Sequence, residues 1–305
     1  MKSNCIFCKA ASGDYVTHKE GWNLIECGVC KIIYVSPLPE DKFLAEEVYG
    51  SASGYSESRV NDEDDTLQDI DLALPKLKTL LKGIPAPLLL DIGASQGDFL
   101  LGAERLGFKV QGVEANPQSA EKARARGLQV QTGMYSKVLY EESSFDAINL
   151  GDVIEHVSNP LELVENIAFH LKTNGFLSLS TPNTDCFWFK GTRFLSQKFS
   201  IPWSAVTPPY HLYYFSVDNL DALLNDYGLK KIDNWFKSTW LLYELSHLHL
   251  LRDFRRDKTF FRLIKLLYGY SMEVSLFLMY WFLRRFMRKD FSYRAIYVKS
   301  FPKGF

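Results

Sequence analysis

LLLDIGASQGDFL, residues 88–100, reads as an apolar strand that turns through Asp91, Gly93, Ser95 and Gly97 into a helix. Such a turn lets backbone approach a ligand closely at a helix N-terminus. Counted from Gly93, a dinucleotide fingerprint would need glycines where Ser95 and Asp98 stand, so a nicotinamide reading fails at two of three positions. Outward from this turn, strand-like and helix-like segments alternate. A helix stopped by Gly107 leads to FKVQGVE (108–114), and a second, stopped by Gly127, to LQVQT (128–132). FDAINL (145–150), a helix opening at Asn159-Pro160 and ending near Gly175, FLSLS (176–180), a helix over 216–227 and KKIDNWF (230–236) follow, with YRAIYVKSF (293–301) last. Such alternation predicts an α/β fold around a mostly parallel sheet covered on both faces. The final two strands, separated by about fifty helix-patterned residues, read as an antiparallel edge pair carrying an insertion.

The run D-x-G-x-S-x-G from Asp91 to Gly97 resembles motif I of the class I S-adenosylmethionine (SAM) methyltransferases, with Ser95 in place of the usual middle glycine. Glu114 closes the second strand, where it could accept hydrogen bonds from both ribose hydroxyls of a nucleotide. The resemblance covers residues 86–237 and the last strand, and implies a Rossmann-like sheet with an antiparallel last strand. It also implies adenine contacts from Gly133 and Met134 and methionine-end contacts from Leu150, Gly151 and Asp152. Enzymes of this family that methylate exocyclic amines of bases carry an Asn- or Asp-Pro-Pro-aromatic tetrad after the fourth strand, where this chain has LGDVIEH. The segment is more similar to enzymes that methylate oxygen or carbon of small molecules, including sugar and quinone precursors.

Asp152, Glu155 and His156 would share one face if a helix began at Asp152. Two readings follow: an N-terminal capping box, or a divalent-metal or general-base cluster of the kind found in similar quinone O-methyltransferases. Between the fifth strand and the next helix, residues 184–215 are dense in aromatics and are expected to roof an acceptor pocket. There His211, in PYHLYYFS, resembles the histidine segment of the sugar and quinone enzymes and is the first candidate for taking a proton from a substrate hydroxyl. Its bland alternative is a loop histidine bonded to a carbonyl. His18, His170, His247 and His249 read as surface or packing residues.

Cys5 and Cys8, and Cys27 and Cys30, form two C-x2-C pairs. This is zinc-ribbon spacing, in which two turns supply four thiolates to a closed and therefore structural site. Two reduced turns or a redox pair are the alternative. Residues 1–40 balance four lysines against four carboxylates, so a nucleic-acid-binding ribbon is disfavoured. Cys186 reads as a buried small hydrophobe.

Thirty-five basic and thirty-six acidic residues give a net charge of -1, and 47% of residues are hydrophobic. That balance disfavours a polyanion partner and permits a sizeable core. Without an apolar leader or a spanning-length apolar run, a cytoplasmic location is expected. Residues 252–289 hold ten basic and three acidic side chains, a net of +7, and residues 274–283 are apolar apart from Ser275. They suit either a peripheral contact with the cytoplasmic membrane face or a packed helix pair or homodimer contact. The expected organisation is a zinc ribbon (1–40), a connector and helix (41–86), a SAM-binding domain (87–239 with 292–305) and a helical insertion (240–291). The activity implied is methyl transfer from SAM to oxygen, or to carbon, of a small or lipid-linked acceptor. An RNA methyltransferase and a catalytically silent scaffold are the competing readings.

Overall fold

The computed structural model describes residues 4–40, 43–44, 63–199, 202–237, 267–268, 271–272, 274–276, 278–280, 282 and 290–300. Two compact units emerge, each assembled from three pieces of chain: 38–181, 220–234 and 294–305 in one, and 1–37, 182–219 and 235–293 in the other.

The first of these units holds the strand-turn-helix segment. Strand β4 (Leu88–Ile92) runs parallel to β5 (Lys109–Glu114) on one side and to β7 (Phe145–Gly151) on the other, and Leu89 through Ile92 are all buried. A strand covered on both faces cannot alternate, which is why this segment is continuously apolar up to its functional end. β6 (Val130–Thr132) extends the sheet beyond β5, and β8 (Leu171–Pro182) runs parallel to β7. The order β10-β11-β8-β7-β4-β5-β6 is completed by β10 (Leu229–Lys237) and β11 (Ser292–Lys299). The Ser300 amide donates to the Gly228 carbonyl at 2.9 Å, which sets the end of β11 beside the start of β10. The two strands therefore run antiparallel, as expected from the sequence, with β11 between β8 and β10.

Helices α1 (Glu63–Leu80), α2 (Asp98–Arg105), α3 (Pro117–Ala125) and α4 (Pro160–His170) belong to this unit. Leu74 and Leu77 of α1 are fully buried, and a Cβ on Gly102 of α2 would fall 2.8 Å from Ile70 Cγ2, so the glycine permits that close packing. α3 and α4 both open with Asn-Pro. The Asn116 side chain accepts from the Ser119 amide at 2.9 Å and Asn159 from the Glu162 amide at 3.3 Å, while each proline occupies the first turn, where its missing N–H costs nothing. α4 stops at His170, five residues before Gly175, and the chain turns directly into β8.

The second unit is built on β1 (Gly13–Lys19), β2 (Trp22–Cys27) and β3 (Ile33–Ser36), an antiparallel meander. A fourth strand comes from far along the chain: β9 (Tyr213–Tyr214) pairs Tyr214 with Ile33 and Tyr213 with Tyr34. Between β8 and β9 lies α5 (Phe187–Phe199), so much of the aromatic segment 184–215 is helical. Trp188, Phe189, Trp203, Val206 and Tyr214 form one buried cluster with Val16, Leu24 and Ile33. Two charged contacts reinforce it. Arg193 donates to both carboxylate oxygens of Glu26, at 3.2 and 2.7 Å, and the buried Lys19 ammonium donates to the carbonyls of Trp203 (3.0 Å) and Val206 (2.6 Å). A short helix α6 (Val217–Asp226) leads to β10. Most of the basic insertion, including all of 238–266, lies outside the described residues.

Candidate cofactor cavity and metal centre

At the carboxyl ends of β4, β5 and β7 the sheet opens onto a cavity of about 350 Å³. Crevices of this kind are where open α/β sheets bind ligands. Its lining includes Gly93, Glu114, Gly133, Met134, Asp152 and His156. Asp91, Ser95, Gly97, Leu150, Gly151 and Glu155 stand outside the lining. Several of them shape it. Asp91 is buried and accepts from Asn149 Nδ2 at 2.8 Å, joining β4 to β7. Gly93 has φ +80°, and a Cβ there would meet Val153 Cγ2 at 2.6 Å. The turn continues through Ser95 (φ +48°) to Gly97 (φ +86°), the N-cap of α2.

That left-handed run aims the Ser95 amide at Glu114 Oε2, 2.8 Å away, while the Asn116 amide donates to Oε1 at 2.7 Å. The carboxylate is thus fixed by two backbone donors, and each oxygen keeps a second lone pair with which to accept a ligand hydroxyl. The Gly133 amide, donating to the Glu114 carbonyl at 2.9 Å, ties the next wall to the same residue.

After β7 the expectation of a helix opening at Asp152 is corrected. Asp152 has φ +50°, and its amide lies 3.0 Å from the Ser180 carbonyl and 3.1 Å from Ser180 Oγ on β8. The chain makes a turn, with the His156 amide donating to the Val153 carbonyl at 3.0 Å, and helix α4 begins only after Asn159. The capping box at Asp152 and Glu155 therefore does not form. Glu155 is buried and accepts from Thr181 Oγ1 at 3.0 Å, and His156 Nε2 lies 3.9 Å from Glu155 Oε1. His211 belongs to the other unit; its amide donates to the Thr207 carbonyl at 3.0 Å and its ring packs edge-on to Tyr214.

His170 had no distinguishing context in the sequence, yet it organises one wall. It is fully buried at the end of α4. Its Nδ1 lies 2.5 Å from the Tyr135 hydroxyl, and Nε2 lies 3.1 Å from the carbonyls of both Lys137 and Tyr140. Burial, only partly offset by those carbonyls, lowers its pKa below the ordinary value of 6.5. The neutral ring, donating from Nε2 and accepting at Nδ1, satisfies all three partners. Tyr135 lines the cavity, so this histidine holds the segment that follows Met134.

The four amino-terminal sulfurs converge in the other unit. Cys5 Sγ lies 3.6 Å from Cys30 Sγ, Cys8 Sγ 3.4 Å from Cys27 Sγ, and all four lie within 4.8 Å of one another. Tetrahedral zinc with Zn–S bonds of about 2.3 Å places its sulfurs roughly 3.8 Å apart, so this donor set fits that ion. The two loops share one conformation. In each, the first cysteine's carbonyl accepts from the amide four residues on, at 2.8 Å for Lys9 and 3.1 Å for Lys31, and both lysines have φ near +60°. Burial disfavours the Cys27 thiolate, but hydrogen bonds from the Cys30 and Val29 amides and from the Cys8 and Cys30 side chains together bring its pKa down to about 7, while burial pushes the Cys5 and Cys30 thiols up. Cys186 is buried, as expected.

Residues 67–234 match the family described as the methyltransferase domain, more than half of the chain. A ubiquinone biosynthesis O-methyltransferase of Xanthomonas campestris pv. campestris is 31% identical over 107 residues, 33% of this chain and 45% of that protein. The enzyme of the same name from Alkalilimnicola ehrlichii is 28% identical over 143 residues, 43% of this chain and 58% of that protein. The chain thus spans about half the length of the curated relatives it matches. Among solved structures, magnesium protoporphyrin IX methyltransferase from Synechocystis PCC 6803, with bound SAH, aligns with a TM-score of 0.54 at 14% identity, covering 85% of this chain and all of that one. A putative sarcosine dimethylglycine methyltransferase from Galdieria sulphuraria aligns at 0.50 with 14% identity, over 77% and 86%. These likenesses concern the fold, and the family match adds lineage to it. With the glycine turn, the sheet order and the carboxylate at the end of β5 already established, the chain belongs to the class I SAM-dependent methyltransferase family.

Proposed function

We propose that this protein transfers a methyl group from SAM to a hydroxyl oxygen of a small or lipid-linked acceptor, such as a quinone or sugar precursor. The observation that carries the reading is the Glu114 carboxylate, held by two backbone amides in the lining of a cavity whose floor is the Gly93 turn. In this reading Glu114 receives the ribose hydroxyls, Gly133 and Met134 border the adenine, and Gly93 and Asp152 border the methionine end. The oxygen acceptor is supported by the names of the curated relatives, ubiquinone biosynthesis O-methyltransferases. Carbon methylation is the less supported variant, and no feature of the cavity favours RNA.

Bound SAM would supply a methyl group on a sulfonium, which is activated for in-line displacement. The chain then has two tasks: to orient the acceptor and to remove its proton. Two histidines are candidates for the proton. His156 lies in the cavity lining beside buried Glu155, and His211 is singled out by its sequence context. The base is the residue whose alanine variant loses about 10²-fold in kcat while SAM affinity stays unchanged. Cys5, Cys8, Cys27 and Cys30 would hold one structural zinc, in keeping with a reducing, cytoplasmic setting.

Titration calorimetry with SAM, followed by methyl transfer from labelled SAM to hydroxylated quinone and sugar precursors, tests the proposal. Saturable one-to-one binding and a labelled methyl ether are expected. SAM binding without transfer to any hydroxyl would leave the scaffold reading; no SAM binding would overturn the assignment of the cavity.

A further inference from the structure

Residues 267–268, 271–272, 274–276, 278–280 and 282 are helical, and their side chains divide into two faces. Leu276 packs against Gly191, where an added Cβ would fall 2.7 Å from Leu276 Cδ2, and Tyr280, 2% exposed, packs on Trp188. On the opposite arc, Leu267, Val274, Leu278 and Phe282 recur at spacings of four and seven, with Tyr268 and Met279 beside them. All six are exposed, Leu278 by 57% and Phe282 by 72%. Single exposed apolar side chains are ordinary, whereas a contiguous helical stripe of them marks a binding face.

The two described polar side chains on that arc do not face water with free donors. Ser271 Oγ donates to the Tyr268 carbonyl at 2.7 Å and Ser275 Oγ to the Ser271 carbonyl at 2.8 Å. Hydroxyls bonded back to their own helix can enter an apolar medium without losing a hydrogen bond. In the sequence the stripe is bracketed by Arg262 and Lys265 before it and by Arg284, Arg285, Arg288 and Lys289 after it, within the segment of net charge +7. Two copies meeting through such a segment would bring like charges together, whereas an anionic lipid surface complements it. No described helix is long and apolar enough to cross a membrane, so contact would be made from one side.

We infer that the face carrying Leu267, Val274, Leu278 and Phe282 docks on an anionic lipid bilayer, its apolar stripe entering the headgroup boundary and the positive charge that brackets it in the sequence favouring anionic lipid. The inference does not rest on the methyl-transfer reading. It is tested by sedimentation of the full chain with phosphatidylcholine vesicles, with and without phosphatidylglycerol, at low and high salt. Binding is expected only to the anionic vesicles, and it should weaken as salt rises. F282D should reduce the partition coefficient about 10-fold or more, and replacing Arg284 and Arg285 together by alanine should reduce it about 25-fold at low salt, roughly fivefold for each charge. An unchanged near-ultraviolet circular dichroism spectrum checks the fold of each variant, and the milder L278S serves if F282D misfolds. Absence of vesicle binding at low salt overturns the inference; if a dimer dissociated by F282D is found instead, the face is a contact between copies. Vesicle binding that F282D and L278S both leave intact also overturns it, because the lipid then meets another surface.

Discussion

At Glu114 a single carboxylate receives two amides from its own chain and is offered to the cavity. Its replacement by alanine should weaken SAM binding by about 1–3 kcal/mol, the cost of losing a charged acceptor, and unchanged affinity in calorimetry would remove it from the ribose role. Gly93 predicts a second effect. With φ +80° and Val153 in the way, G93A should lower both stability and SAM affinity, and a variant that melts and binds like wild type would contradict the close approach assigned to that turn. His170 supplies a pH dependence. Its pKa is lowered in the folded chain, so between that lowered value and the unfolded value near 6.5 the unfolded state binds more protons. Its contribution is complete above about pH 6.5 and is lost as pH falls through this window, by at most about 1.4 kcal/mol per pH unit. Urea midpoints compared at several pH values should show H170Q falling less steeply with acidification than wild type; parallel slopes would exclude the assignment.

The elements differ in how openly the sequence announces them. Strand β4, its glycine turn, the Asn-Pro opening of α4 and the paired cysteines are legible because each is set within a few residues. Asp152 is not legible in that way. Its left-handed conformation is fixed by an amide that pairs with Ser180 on another strand, and a helical spacing of Asp152, Glu155 and His156 carries no trace of that partner. His170 was equally hidden, since the groups that bury it lie some thirty residues upstream. The two-residue strand β9 is too short to leave a period. For the cysteine loops, the repeated turn predicts one zinc per chain by elemental analysis of purified protein. Less than about half an equivalent, with four freely titrating thiols, would rule the site out. Lys19 offers a further measurement. K19M would leave two buried carbonyls without their donor and should cost about 1–3 kcal/mol in chemical denaturation.

For the whole molecule, the cavity and the cysteine cluster belong to different compact units. Ligands that bind only folded protein stabilise it by mass action, so SAM at a hundred times its Kd should add about 2.7 kcal/mol to the unit with the cavity. A chelator should instead destabilise the unit with the cysteines. Differential scanning calorimetry is expected to show two thermal transitions, one raised by SAM and the other lowered by chelation; a single transition moved by both would mean that the units unfold together. The pairing of Ile33 with Tyr214 adds a matter of timing. On the ribosome, the open flank of β3 emerges about 180 residues ahead of its partner, and at about 5–20 residues per second it waits roughly 10–40 s. An uncovered strand flank is an invitation to intermolecular pairing. The nascent amino terminus should therefore depend on chaperones until residue 214 is made, and early metal capture by its two cysteine loops would shorten that dependence.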